Sequence, residues 1–193
     1  MRKKTYAELY DERPTLQELA VLPRTPIIGI LENIRSMQNI GAAFRTADAL
    51  RLSALYLSGY SATPPRDEID KTALGSTESV PWRHFADGPS AVKAARKEGF
   101  QILVAEQAID AVNVFQVVIS EPVAVVFGNE VWGVSEEVVA MADRIVEIPM
   151  LGLKQSLNVS VSFGVALYGM INANPFLQVR PLTVKVKHLD FER

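Results

Sequence analysis

Three short stretches of this 193-residue chain put polar side chains where an apolar, strand-like run gives way to a turn. The first, Asn33 to Thr46, holds Asn39 and Arg45. Asparagine offers both a donor and an acceptor, and arginine a rigid fork of donors suited to phosphate. The second is Val126-Phe127-Gly128-Asn129-Glu130-Val131-Trp132-Gly133-Val134-Ser135. Gly128 lets backbone come close to a ligand, and Glu130 sets a carboxylate at the carboxyl end of a buried strand, where open α/β sheets bind their ligands. The third runs from Ile148 to Val161, breaks at Pro149, passes Gly152 and carries Lys154, Ser156 and Asn158 ahead of a helix expected from near Ser156. Backbone groups left free in such a loop and at a helix start are suited to holding a ligand. Taken singly, each stretch also fits a helix cap, a tight turn or a solvated side chain. Together they predict three turns that meet in space and form one site.

The elements that must position them alternate between strand and helix patterns. Pro26–Leu31, Ser53–Leu57, Val80–Phe85, Gln101–Ala105, Pro122–Phe127 and Arg144–Ile148 read as strands. Asn39 is expected to cap a helix with Ile40, Phe44, Ala47 and Leu50 on one face. Further helices are expected over Thr15–Leu22, capped by Thr15 with Glu18, over Arg66–Leu74, over Pro89–Glu98 ending at Gly99, and from Ser135 to about Ala142. Ser156–Phe163 also alternates like a strand, but the apolar continuation to Ile171 and the stripe Leu157, Val161, Val165, Tyr168 favour a helix. This order implies an α/β domain with a mainly parallel sheet covered on both faces. One domain is expected over 1–193, with a core at about 26–172, an N-terminal arm 1–25 and a tail 173–193.

Composition narrows the function. Hydrophobic residues make up 48% and charged residues 22%, ordinary values for a globular chain. With no cysteine and two histidines far apart, His84 and His188, neither a disulfide framework nor a thiolate or histidine metal site is expected. No apolar run is long enough for a bilayer and no apolar segment follows the basic start, so the expected address is the cytoplasm. The net charge of −2 speaks against a nucleic-acid coat protein but leaves room for a local basic patch. The chain has neither G-x-G-x-x-G nor G-x-x-x-x-G-K-[ST], which disfavours those dinucleotide and triphosphate sites.

The three stretches, in this order and spacing, resemble the motifs of the SpoU-type, or TrmH-like, RNA ribose 2′-O-methyltransferases of the SPOUT superfamily. Asn39-Ile40-Gly41-Ala42-Ala43-Phe44-Arg45-Thr46-Ala47 is similar to the first motif and Val126–Ser135 to the second. Ile148-Pro149-Met150, with Ser156–Val161 and Ala166-Leu167-Tyr168, is similar to the third. The resemblance covers about residues 26 to 172. It implies a C-terminal trefoil knot that holds S-adenosylmethionine in a bent shape largely through backbone atoms, with no metal. By position the cofactor should touch Ala105, Gly128, Asn129, Ile148, Met150, Ser156, Leu157 and Val159.

The resemblance also implies a homodimer whose site is completed across the interface, and a structured RNA as partner, transfer RNA being favoured over ribosomal RNA. Arg45 is then the activating residue, serving its own or the partner subunit's pocket. Because a guanidinium keeps its proton, it is expected to grip the neighbouring phosphate and stabilise developing alkoxide charge rather than act as a free base. Asn39, Glu130, Ser156 and Asn158 would position ribose, Arg45 and cofactor. A dimer-spanning basic patch of Arg35, Arg45, Arg51, Arg66 and Lys71 is expected to bind RNA, with affinity that falls steeply as salt rises. The alternatives are a SPOUT-fold RNA-binding protein without catalysis, a SPOUT base methyltransferase and a flavodoxin-like nucleotide module.

Overall fold

A computed structural model describes residues 1–179. Met1–Pro23 belongs to one compact unit and Arg24–Gln178 forms a second. The first holds two short helices, α1 (Tyr6–Asp11) and α2 (Leu16–Val21), each opened by a reciprocal capping box, Thr5 with Glu8 and Thr15 with Glu18. Helix α1 escaped the sequence reading because its six residues bury none of their side chains, which leaves no apolar period to detect.

The second unit runs β1 (Thr25–Glu32), α3 (Met37–Ala49), β2 (Leu52–Ser58), α4 (Asp67–Ala73), α5 (Ser76–Ser79), β3 (Trp82–Phe85) and α6 (Gly88–Lys97). It continues through β4 (Gln101–Ala105), β5 (Val112–Asn113), β6 (Val123–Phe127), α7 (Glu136–Val139), β7 (Arg144–Glu147) and α8 (Val159–Ala173) to a 3-10 turn at Pro175–Leu177. Among the described residues seven strands form one parallel sheet in the order β3-β2-β1-β6-β4-β7-β5. Alternation along β1 feeds two cores. Ile27 and Leu31 face α3 and α8, while Ile28 and Ile30 face α6 and α7. Both faces are therefore covered, which is why these strands read as continuous apolar runs.

Helix α8 is the element that brings the third motif to the sheet. Phe163, fully buried, lies across Gly29 at the centre of β1 and 4.9 Å from the ring of Phe127. A Cβ at Gly29 would come within 2.7 Å of that ring, so this strand position must be glycine for the helix to dock so closely. The connection from β4 to β6 covers another part of α8. Phe115 lies against Gly169, and Asn174 donates to Val117 O (2.9 Å) and accepts from Ile119 N (2.8 Å). The buried face of α8 is Phe163, Ala166, Leu167 and Met170, whereas the stripe Val161, Val165, Tyr168 looks outward.

Several expectations are corrected. Ser36, not Asn39, caps α3, its Oγ accepting from Asn39 N at 3.3 Å. Helix α8 starts at Val159 with Asn158 as its cap, so Ser156 lies in the preceding loop. Ser135 does cap α7, but the helix ends at Val139 and gives way to turns through Ala142. Helix α8 runs to Ala173, one residue into the expected tail. The alternation Val184–Lys187 lies outside the described residues.

Candidate active site

The three turns meet at the carboxyl ends of β1, β6 and β7, and each arrives by its own local device. At the first, Ser36 takes over the capping of α3, which leaves the Asn39 side chain free in the first turn. At the second, Asn129 Oδ1 accepts from Val131 N (2.8 Å) and Trp132 N (3.0 Å), closing a tight turn that Gly133 completes at φ 69°. A Cβ on Gly128 would sit 2.1 Å from the Gly133 and Val134 backbone, so only glycine lets the turn fold back on its strand. Two carboxylates brace it. Glu106 accepts from Val134 N (3.1 Å), and the buried Glu32 accepts from Ser135 N (2.9 Å) and Oγ (2.7 Å). At the third, Asn158 Oδ1 caps α8 through Ser160 N (2.9 Å), and its amide nitrogen is left to donate elsewhere.

These devices converge in one hydrogen-bonded chain. Asn158 Nδ2 donates to Asn39 Oδ1 (3.1 Å), and Asn39 Nδ2 donates to Glu130 Oε1 (2.9 Å). Glu130 also accepts from Arg35 N (3.0 Å) and Ser36 N (3.2 Å) at the start of α3, a position that favours negative charge. Burial alone would raise the Glu130 pKa, but the hydrogen bonds from Arg35 N, Asn39 Nδ2, its own backbone N–H and Ser36 N outweigh it, and the net result is below the usual carboxylate range. A depressed pKa contributes stability above the unfolded value and loses it as pH falls through the folded one. The tie between the first two turns should thus hold at neutral and mildly acidic pH. A carbon-13 titration of the Glu130 carboxyl should give a midpoint below about 4.3, the ordinary glutamate value. A midpoint at or above that value would mean these donors do not act together.

Beside this chain opens a cleft of about 560 Å³, within the range that holds a cofactor-sized ligand. All eight residues expected at the cofactor line it, from Ala105 at the end of β4 to Val159 at the start of α8, and so do Glu130 and Asn158. Its walls include Phe127, Val146 and Ile148, and the N–H groups of Met150, Ser156 and Leu157 make no hydrogen bond to the described residues. Three carboxylates, Glu106, Glu130 and Glu147, line the cleft, and among the described residues no lysine or arginine does. Glu106 and Gln107 had no sequence signal, since they follow β4 without a glycine or a motif. Gln107 Nε2 donates to Gln155 O and links the β4 end to the third turn.

The basic residues are placed differently. Arg45 is exposed on α3, does not line this cleft and makes no hydrogen bond or ion pair among the described residues. Arg35 and Arg66 share a second cleft, and Lys71 is exposed on α4. Arg51 lies at the opposite, amino-terminal edge of the sheet, its carbonyl accepting from Thr25 N at the start of β1. Within one chain these residues are divided between the two ends of the sheet, because α3 carries the chain from one to the other. Among the described residues no cluster of three or more potential ligands could hold a metal ion, and no helix is long and apolar enough to cross a membrane.

A curated relative from Thermus thermophilus, a tRNA (guanosine(18)-2'-O)-methyltransferase, is 34% identical over 168 residues, 87% of this chain and 84% of its own. The crystal structure of the A. aeolicus TrmH/SpoU tRNA modifying enzyme superposes with a TM-score of 0.72 at 31% identity, over 82% of this chain and 80% of that one. An AdoMet-bound rRNA methyltransferase from Sinorhizobium meliloti gives 0.72 at 26% identity, over 80% of this chain and 59% of that one. The model of the SpoU rRNA Methylase family matches residues 26–168, the span that holds all three turns and the acidic cleft. The chain belongs to the SpoU methylase family.

Proposed function

We propose that this chain transfers a methyl group from S-adenosylmethionine to a ribose 2′-hydroxyl of RNA, with a guanosine of transfer RNA as the favoured target and the cytoplasm as its place of work. The observation that carries the reading is the acidic cleft beside the Asn39–Glu130–Asn158 chain. Among the described residues a phosphate-bearing cofactor would meet three carboxylates and no cation there, whereas a sulfonium compound gains from the same charges. The free N–H groups of the third turn and the apolar walls suit the polar edge and the faces of an adenine.

When bound, S-adenosylmethionine supplies the electrophilic methyl on sulfur. What the chain must do is hold a sugar oxygen in line with it and stabilise the charge that oxygen gains. Asn39 and Asn158, each already oriented by its partners, are the groups that would fix the ribose. Glu130 keeps both at the cleft edge, and Ser156 adds a hydroxyl from the exposed loop. Arg45 is the residue for the neighbouring phosphate and the developing alkoxide.

Two further features belong to this reading. A threaded C-terminus is supported by β7 lying between β4 and β5 while α8 runs between β1 and the 114–119 connection. Threading is rare enough that strand counting alone would reject it. A homodimer is supported by apolar residues that nothing among the described residues covers, Leu151, Leu153, Val161 and Tyr168, on the third turn and the outer face of α8. Such a dimer can bring Arg45 to the partner's cleft.

Calorimetry with S-adenosylmethionine, flavin and nucleotides, followed by methylation of total RNA with labelled cofactor and nucleoside mapping, tests the reading. Binding of S-adenosylmethionine and label on a transfer-RNA ribose are expected. Label on a base, or binding without transfer, would replace it with a base methyltransferase or an RNA-binding protein.

A further inference from the structure

We propose that the second cleft is a nucleotide subsite that receives the base of the RNA residue being methylated, stacked on Tyr60, with Arg35 and Arg66 on its flanking phosphates. The proposal rests on the RNA methyltransferase reading above and adds to it where the acceptor nucleotide sits. This cleft, about 580 Å³, lies at the carboxyl ends of β1, β2 and β3 and is lined by Arg35, Met37, Tyr60, Arg66, Trp82 and His84 among others. Among the described residues no aspartate or glutamate lines it. Its character is the reverse of the first cleft: one suits a cation, the other an anion. Neither guanidinium of the second cleft makes a hydrogen bond or ion pair among the described residues, and both are exposed, so their donors are available to phosphate.

Tyr60 gives the cleft its reading surface. It is 61% exposed, which for a mobile side chain would mean little. Yet it is held at both ends, because its N–H donates to Asn33 Oδ1 (3.3 Å) and its hydroxyl accepts from Asn129 Nδ2 (2.7 Å). The two loops behind it are locked together. Asn33 and Gly59 both adopt left-handed backbone, at φ 55° and 63°, and a Cβ on Gly59 would overlap Asn33 Oδ1 at 1.9 Å. Left-handed backbone at a non-glycine residue is strain of the kind found at ligand sites. Across the cleft Trp82 is steadied edge-on by Phe44, ring centroids 6.4 Å apart. A fixed exposed aromatic beside free arginines is the arrangement that holds an unstacked base of single-stranded RNA.

The two clefts share a wall. Asn129 lines the first and holds Tyr60 of the second, and the N–H of Arg35 donates to Glu130. A nucleotide whose base lies on Tyr60 therefore has its sugar beside the Asn39–Glu130 pair, where the acceptor hydroxyl has to be.

The chain has two tryptophans, Trp82 and Trp132, so Trp132→Phe leaves Trp82 as the reporter of this cleft. Adding a short single-stranded RNA oligonucleotide to that variant should quench Trp82 fluorescence, and free phosphate should not. Tyr60→Ala and Arg66→Ala should each weaken the quench and raise KM for RNA about 10-fold, with the affinity for S-adenosylmethionine unchanged by calorimetry. Tyr60→Phe keeps the ring and should stay within about threefold of wild type in KM, which separates stacking from support of Asn129. If the wild type methylates RNA but KM is unmoved in Tyr60→Ala and Arg66→Ala, the subsite is refuted and the enzyme reading stands. Wild-type protein that neither binds S-adenosylmethionine nor methylates any RNA overturns the enzyme reading itself. Equal quenching by phosphate alone refutes the base subsite and leaves only an anion site.

Discussion

Replacing Arg45 by alanine should lower single-turnover methyl transfer by about 10²–10³-fold, the range for removal of one donor to a developing oxyanion. Affinity for S-adenosylmethionine should not change, because Arg45 does not line the acidic cleft of its own chain. Arg45→Lys keeps the charge but not the fork and should recover only part of the loss. Arg45 is exposed on α3 and has no partner among the described residues, which also says where to look for its target. If it serves the partner's cleft, Arg45→Ala mixed with Glu147→Arg, which places a cation in the acidic cleft, should form heterodimers with one competent site. Activity would then exceed that of either variant alone. No recovery on mixing would assign Arg45 to its own chain, and near-normal transfer by Arg45→Ala would remove it from the chemistry.

Phe163→Ala should cost about 3–5 kcal/mol, the usual toll of removing a fully buried aromatic ring. Phe163 has no exposed surface, fills the space above Gly29 and touches Phe127. Urea denaturation should show a lower midpoint at unchanged slope. The same substitution should weaken S-adenosylmethionine binding, since Phe163 anchors the first turns of α8 beneath Asn158 and Val159. Gly29→Ala, pressing on the same ring from the strand side, should cost about 1–3 kcal/mol. Combined with Phe163→Leu, its cost should fall, because the two positions share one contact. A loss below about 1 kcal/mol for Phe163→Ala would mean that α8 is held elsewhere.

The reading from residues alone went furthest where one short stretch contained its own reason. β4 is Gln101–Ala105 in both sequence and structure, because a buried parallel strand needs little beyond an unbroken apolar run. The face Ile40, Phe44, Ala47 and Leu50 of α3 is buried as its spacing requires. Gly128 and Gly133 marked a turn that only glycine can close. Caps were less legible. Ser36 and Asn39 are both capping residues three apart, and Asn39 loses the role because Glu130 and Asn158, about 90 and 120 positions away in the chain, compete for its amide.

Sequence by itself determined the alternation of strand and helix, the three turns that carry polar residues, and the family they resemble, since each depends on neighbours within a few positions. Tertiary structure alone decided that Asn39, Glu130 and Asn158 form one chain, that Glu106 joins the cleft, and that Arg51 is carried to the far edge of the sheet. It also decided that the outer stripe of α8 faces solvent while Phe163 turns inward onto Gly29. The physical reason is range: propensity and periodicity act along a few residues, whereas a cleft and its charge are set by strand order, which joins groups a hundred positions apart.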